Sequence, residues 1–143
     1  MVGTIRLQAR SVYGNTTVML NGVPVAITSS NGGFALLGFP PGNYTLTARR
    51  DGMLDMETAA TILPYVVVNM GEALMAGGDV NDDGAVTVDD LQDALAAFGT
   101  CSGDVGYDAF ADQNGNGCVD AIDITIINDN MGRIEPTSWS PIP

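Results

Sequence analysis

The sequence has 143 residues, and its five basic residues against 17 acidic ones give a formal net charge of −12 at pH 7. Residues 71–143 hold fourteen of the acids and one of the arginines, so this half repels nucleic acid and attracts cations. Histidine and lysine are absent, which removes Ser-His-Asp and Cys-His catalysis and the commonest zinc ligand. We therefore predict two small domains and no enzymatic activity.

Residues 1–70 are predicted to form an all-β sandwich, because short β-rich runs alternate with Gly, Pro and Asn. Asn21-Gly22 is the signature of a two-residue hairpin, and Pro40-Pro41 excludes a central strand at that point. The expected strands are Thr4–Ala9, Thr16–Leu20, Val23–Ile27, Phe34–Leu37, Tyr44–Arg49, Met56–Ile62 and Tyr65–Asn69.

The rest of the chain is divided by composition. The longest apolar run, Ile62 to Val68, contains Pro64 and is too short to span a bilayer, so no membrane insertion is expected. Residues 71–78 are rich in Gly, Ala and Met without periodicity and are predicted to be a linker. A second domain is expected at 79–135, followed by a Pro-rich tail at 136–143.

An internal repeat dominates the second half. Residues 79–99 align with residues 112–132 at an offset of 33, and each copy contains D-x-N-x-[DN]-G followed, six residues after the Gly, by an Asp. This is the spacing of a twelve-residue EF-hand-type calcium loop, which presents oxygens from positions 1, 3, 5, 7, 9 and 12 and turns sharply at a Gly in position 6. Two tandem copies predict two bound Ca²⁺ ions.

The ligands follow from these positions. The first loop is expected to use Asp79, Asn81, Asp83, Ala85 through its carbonyl, Thr87 directly or through water, and Asp90. The second is expected to use Asp112, Asn114, Asn116, Cys118 through its carbonyl, Asp120 and Asp123. Oxygen ligands in this number suit calcium better than magnesium.

A helical pattern follows each loop, at Val88–Phe98 and Ala121–Met131. Thr87 and Asp120 are predicted N-caps, and Gly99 and Gly132 are predicted stops. No helix of comparable quality enters either loop, so each unit is expected to be a loop and one helix. Cys101 and Cys118 fit either one disulfide or two buried thiols on count alone.

Two family resemblances arise from these motifs. NGGFALLGFPPGNYTLTARRDGM resembles the carboxypeptidase regulatory-like family, which implies a non-catalytic sandwich of prealbumin or immunoglobulin-like type. The duplicated loop-helix units, with GDVNDDGAVTVDDL and ADQNGNGCVDAIDI, resemble a dockerin, and the preceding sandwich resembles an X-module. A dockerin implies a small all-α domain that depends on calcium and binds a cohesin of a scaffoldin or surface protein in a cellulosome, an extracellular assembly for polysaccharide degradation.

The dockerin resemblance also implies particular sites. The contact residues of that family correspond here to Val88, Asp89, Leu95, Ala96, Ala121, Ile122, Asn128 and Asp129. The Ser-Thr pairs usual at these positions are missing, and the two copies differ, so one binding orientation is expected to dominate. An alternative is that Val88, Leu95 and Ile122 are core residues of their helices. The extracellular setting implied for a dockerin favours a Cys101–Cys118 disulfide.

The leading hypothesis is therefore a docking module, secreted by a prokaryote and monomeric when free, that assembles an extracellular or cell-surface complex. The alternative is a carbohydrate- or protein-binding sandwich with a calcium-stabilised structural tail. A calcium sensor is less favoured, because no entering helix is available to form a pair that opens. The single Trp139 lies in the predicted tail, so no aromatic platform for sugars is evident.

Overall fold

The computed structural model describes residues 1–139, and these form eight strands and two helices. The strands are β1 (Val2–Leu7), β2 (Thr17–Leu20), β3 (Val23–Ile27), β4 (Gly33–Ala35), β5 (Gly42–Arg49), β6 (Met56–Ile62), β7 (Asn69–Met75) and β8 (Thr137–Ser138). The helices are α1 (Val88–Ala96) and α2 (Ala121–Asn130). No helix in this range is both long enough and apolar enough to cross a membrane.

The strands pack as a sandwich of two sheets. One sheet has the order β4-β1-β7, and the other has the order β3-β2-β5-β6-β8. All neighbours are antiparallel except the pairs β1–β7 and β6–β8. The core between the sheets is made of alternating inward side chains such as Ile5, Leu7, Val18, Leu46 and Met56, which are almost completely buried.

The turn chemistry explains the β2–β3 connection. Asn21 and Gly22 both have positive φ, at 49° and 76°, as a two-residue hairpin with the favoured twist requires. The side chain of Asn21 also accepts a hydrogen bond from the amide of Thr45 at 2.8 Å, which ties the hairpin to β5. The hairpin is thus fixed both by its own backbone and by its neighbour in the sheet.

The prediction of a linker without regular structure at 71–78 is wrong. Residues 69–75 form β7, which pairs in parallel with β1, and Ala73 and Met75 are completely buried. The predicted strand Tyr65–Asn69 therefore lies too early in the chain. Asn, Gly, Glu and Ala of this segment have low β-propensity, and burial against β1 outweighs that preference.

The predicted fold class is also corrected, because residues 79–135 do not form a separate all-α domain. The two helices have 9 and 10 residues and belong to a mostly β molecule. The second hydrophobic cluster contains Leu54 and Ala76 from the sandwich, packed with Val80, Val86 and Ile127. We refer to residues 1–76 as the sandwich lobe and to residues 79–135 as the loop lobe, and the two share this cluster.

Residues 136–143 are predicted to be a Pro-rich tail. This is wrong for residues 137–139, which pack on the sandwich, and residues 140–143 lie outside the described range. Thr137 and Ser138 form β8 on the edge of β6. Trp139 is 7% exposed, meets Phe34 edge to face at 6.0 Å between ring centroids, and donates from Nε1 to the carbonyl of Met70 at 3.2 Å. The chain thus returns from the loop lobe to the core of the sandwich.

Removal of the Trp139 ring tests this return. We expect Trp139→Ala to lower the free energy of unfolding by about 3 kcal/mol, because a buried aromatic side chain leaves a cavity. Trp139→Phe retains most of the packing and loses the Nε1 hydrogen bond, so it should cost about 1 kcal/mol. Urea unfolding followed by far-UV circular dichroism measures both, and equal stability of Trp139→Ala and the unmodified protein would contradict the placement of this residue.

Candidate functional site: two duplicated carboxylate loops

The first loop, residues 79–90, is held in shape by its own side-chain oxygens. Asp79 accepts from the amides of Asp83 and Gly84, both at 3.0 Å, and Asp83 accepts from Ala85 at 3.0 Å. Gly84 has a φ of 88°, so the turn in the middle of the loop uses a backbone conformation that favours glycine. The chain therefore curls around the carboxylates with their oxygens directed inward.

Three of these carboxylates lie close together. Asp79, Asp83 and Asp90 each offer an oxygen within 4.8 Å of the others. Asp79 and Asp90 are 1% and 0% exposed, and burial raises the pKa of Asp79 despite the opposing backbone hydrogen bonds. Two like charges at this separation repel by about 3 kcal/mol at an effective dielectric of 20. The arrangement fits a hard cation bound by oxygen, which would remove that repulsion.

The second loop, residues 112–123, repeats the same bonds. Asp112 accepts from Asn116 at 3.1 Å and from Gly117 at 2.9 Å, and it also accepts from the Tyr107 hydroxyl at 2.9 Å. Asn116 accepts from Cys118 at 2.8 Å. In the described residues this loop does not bring three carboxylates as close together as the first, because an amide, Asn116, stands in the position of Asp83.

The last acid of each loop also begins the following helix. Asp90 accepts from the amides of Asn81 at 3.1 Å and Thr87 at 2.7 Å, and Asp123 makes the same bonds with Asn114 and Asp120. These form capping boxes with Thr87 and Asp120 as N-caps. A carboxylate that closes the loop is therefore fixed by the helix that follows it.

The other predicted ligands are placed as follows. Thr87 and Asp120 accept from the amides of Asp89 and Ile122, so both are engaged as caps, and Asp120 also accepts from Asn116. Ala85 forms an isolated bridge with Ile134 beside the first loop. Cys118 and Cys101 form an isolated bridge of their own, and their sulfurs are joined in a disulfide. The disulfide ties the connector after α1 to the second loop.

Each unit is a loop followed by one helix, as the sequence predicts, and is therefore not a complete EF-hand. In residues 1–139 neither loop is entered by a helix, since β7 precedes the first and an irregular turn around residues 107–111 precedes the second. The two helices bury only some of their apolar side chains. Leu95 and Phe98 are 52% and 51% exposed, whereas Ala94 and Ile127 are completely buried.

The structure contains a polar interlobe seam that the sequence does not reveal. Gln113, the second residue of the second loop, is completely buried. Its side chain accepts from the amide of Gly78 at 2.8 Å and donates to the carbonyls of Gly52 at 3.0 Å and Phe110. One amide group therefore joins the second loop, the residue before the first loop and the sandwich lobe.

Three further side chains complete the interlobe seam, which we define as Gln8, Arg10, Gln113 and Asn130. Arg10 donates from Nε to the carbonyl of Gln113 and from Nη2 to that of Asp112, both at 2.8 Å. Asn130 of α2 donates to the carbonyl of Gly77 at 2.8 Å and to Gln8. A Cβ at Gly77 would collide with Gln113 Oε1, so the close approach requires glycine.

The eight residues predicted for partner contact are all exposed on α1, α2 and their first turns. Val88, Leu95 and Ile122 are 57%, 52% and 55% exposed, so they are not core residues of their helices. Apolar side chains in these positions are available to another protein. The two helices present different chemistry, because Leu95-Ala96 corresponds to Asn128-Asp129 in the repeat.

Comparison with known proteins gives relatives but no matching family model. The chain is 28% identical over 112 residues to "Cellulosomal-scaffolding protein B" of Acetivibrio thermocellus and, at the same identity and length, to "Cellulosomal-scaffolding protein A" of that organism. Each alignment covers 75% of this chain but only 14% and 6% of the respective relative. The chain thus corresponds to a small part of those proteins.

Solved structures match almost the whole chain. Two have a TM-score of 0.81 and 26% sequence identity, and the match covers 93% of this chain and 95% of the other. They are described as a C-terminal and an N-terminal interface mutant of a type II Cohesin-X-Dockerin complex from Acetivibrio cellulolyticus.

These comparisons correct the family and partner predicted from the sequence. Neither the dockerin nor the regulatory-like resemblance is supported by a family model. The relatives are named as scaffolding proteins. The sequence analysis instead predicts that a scaffolding protein is the binding partner of this chain. We therefore withdraw the assignment of the chain as a dockerin with a scaffoldin cohesin as its partner. Bacterial cellulosomal relatives do indicate an extracellular or cell-surface protein.

The interlobe seam generates a test of its own. We expect Gln113→Met to lower the free energy of unfolding by at least about 2 kcal/mol, because it retains the volume but leaves the buried Gly78 amide and Gly52 carbonyl without partners. Gln92→Met, on the exposed surface of α1, is the matched control. Urea unfolding in calcium buffer compares them, and similar small losses in both variants would show that Gln113 does not join the lobes.

Proposed function

We propose that this chain is a non-catalytic, protein-binding module of a cellulosome-type assembly, built as a β-sandwich with a calcium-stabilised loop lobe. The observation that carries the calcium part is the group of three carboxylates, Asp79, Asp83 and Asp90, within 4.8 Å of one another. The likeness to scaffolding proteins and to a Cohesin-X-Dockerin complex supports the protein-binding part.

Calcium is the cation that the donor set favours. Carboxylate and amide oxygens from alternate positions of a twelve-residue loop suit Ca²⁺, whereas Mg²⁺ prefers fewer protein ligands and stricter octahedral geometry. In the first loop the ligands would be Asp79, Asn81, Asp83 and Asp90, with the Ala85 carbonyl and Thr87 completing the set. The second loop offers the equivalent residues, with Asn116 replacing one carboxylate. We therefore propose two ions, bound more weakly in the second loop.

The proposed partner surface is the exposed face of α1 and α2. Calcium would hold the N-termini of both helices in place, since Asp90 and Asp123 belong at once to the loops and to the capping boxes. Loss of the ion would free these carboxylates to repel and would release the helix starts. Binding of a partner through Val88, Leu95 and Ile122 would then depend on calcium.

The module has no proposed reaction. The relatives that it resembles are named as scaffolding proteins, and the chain itself has no histidine or lysine for acid-base or nucleophilic work. The proposed partner is a complementary protein module of the same extracellular assembly, presented by a prokaryotic cell or its secreted complexes.

Calcium binding is tested by a pair of matched variants. We expect Asp90→Asn to weaken the tighter of two calcium-binding events by at least about tenfold, because it removes a buried carboxylate from the cluster. Asp93→Asn, an exposed position on the same helix, should bind as the unmodified chain does. Isothermal titration calorimetry after chelation and dialysis decides this, and the absence of any calcium heat in the unmodified chain would refute the proposed ion sites.

The partner face is tested with the modules named in the matched complexes. We expect the chain to bind an X-Dockerin module in calcium buffer, and to lose binding with chelator. Val88→Asp and Ile122→Asp should weaken binding unequally, by at least about tenfold for the stronger effect, because the two helices differ.

Val105→Asp is the control for these variants, since Val105 is fully exposed in the connector between the two copies. It adds the same charge without altering α1 or α2. Surface plasmon resonance, with circular dichroism to verify folding, gives the result. Equal binding by Val88→Asp, Ile122→Asp and Val105→Asp would place the contact surface elsewhere.

A further inference from the structure

A cavity of about 510 Å³ lies on the side of the molecule where the sandwich lobe meets the turn before the second loop. Arg10, Arg49 and Arg50 line it together with Met19, Asp51 and Phe110. The chain has five arginines in all and a net charge of −12, so three of its few cations surround one cavity. This concentration of positive charge is opposite in sign to the protein as a whole.

Two of these guanidinium groups have only neutral partners. Arg10 donates to the carbonyls of Asp112 and Gln113, and Arg50 donates to the carbonyl of Gly14. Within residues 1–139 neither forms an ion pair with a carboxylate, whereas Arg49 pairs with Asp55 and Asp82. Burial, followed by the charge of Arg10, lowers the pKa of Arg50. The charges of Asp112 and Asp51 act on Arg10 and Arg50, respectively, from beyond ion-pair distance, so an anion that enters the cavity would add the close partner that both half-buried cations lack.

We propose that this cavity binds a small organic anion through its carboxylate group, with Arg50 and Arg10 as the cationic partners. Guanidinium groups recognise carboxylates through paired, charge-assisted hydrogen bonds. Asn15 and Thr17 add polar groups to the wall, and Met19 and Phe110 add apolar surface for the body of the ligand. The volume admits a molecule of the size of one sugar acid.

Asp51 sets the affinity of the site. It is the one acid among the described lining residues and is exposed. Its charge favours the protonated form of Arg50 but repels an incoming carboxylate. Removal of this charge should therefore strengthen binding of an anion, whereas removal of the Arg50 charge should weaken it.

The experiment is a titration of the whole chain in calcium buffer at constant ionic strength, followed by amide NMR shifts. Sodium glucuronate is the probe, and glucose is the matched neutral sugar. We expect saturable shifts at residues of the cavity wall with glucuronate and none with glucose. Acetate should shift the same residues more weakly, because it offers the carboxylate without the polar body.

Variants of single charged residues then show which charges contribute to glucuronate binding. Arg50→Gln should weaken glucuronate binding by at least about tenfold, Asp51→Asn should strengthen it, and Arg6→Gln, which alters an exposed ion pair with Glu72, should leave it unchanged. If Arg50→Gln does not fold, the proposal is still tested by two results. These are the affinity of Asp51→Asn for glucuronate and the difference between glucuronate and glucose in the unmodified chain. The absence of saturable shifts with glucuronate, or equal affinity in all three variants, would overturn the proposal.

Discussion

The buried side chain of Gln113 is the contact on which the arrangement of this molecule depends. It occupies the second position of the second loop, yet its hydrogen bonds reach Gly78, just before the first loop, and Gly52 in the sandwich lobe. Arg10 fixes the backbone of the same loop from the sandwich side. The Gln113 amide group forms buried hydrogen bonds with three segments of the chain. If it moves, each segment is left with a buried donor or acceptor that has no partner. The loops and the sandwich are therefore expected to fold as one unit.

This constraint gives the proposed ion sites a role beyond their own loops. Asp90 and Asp123 close the loops and also begin α1 and α2, so ion binding, helix capping and presentation of the exposed helix face involve the same side chains. The loop lobe shares Leu54 and Ala76 with the sandwich and returns its chain to the core at Trp139. Ions that bind only the folded state therefore stabilise the loops and the sandwich together.

Local patterns in the sequence predicted the local parts of the structure. The positions of Asp79, Asp83 and Asp90 follow from loop spacing, and the β2–β3 hairpin follows from Asn21-Gly22. Residues whose role is set by distant contacts were missed. Ala73 has low β-propensity but is buried against β1, and Gly77-Gly78 has the composition of a linker but permits close approach of Gln113. The family and partner inferred from the loops were not supported, because repeat spacing defines a cation site more closely than it defines what the module binds.

The dependence of the sandwich on calcium tests this account most directly. Trp139 is the only tryptophan of the chain and packs against Phe34, so its fluorescence reports whether the core of the sandwich is intact around it. Thermal unfolding followed at this residue should shift to higher temperature as calcium increases, with about 2.7 kcal/mol gained at 100 times the dissociation constant. The helical circular dichroism signal should change at the same temperature. A Trp139 transition that is independent of calcium while the helices melt separately would contradict the account.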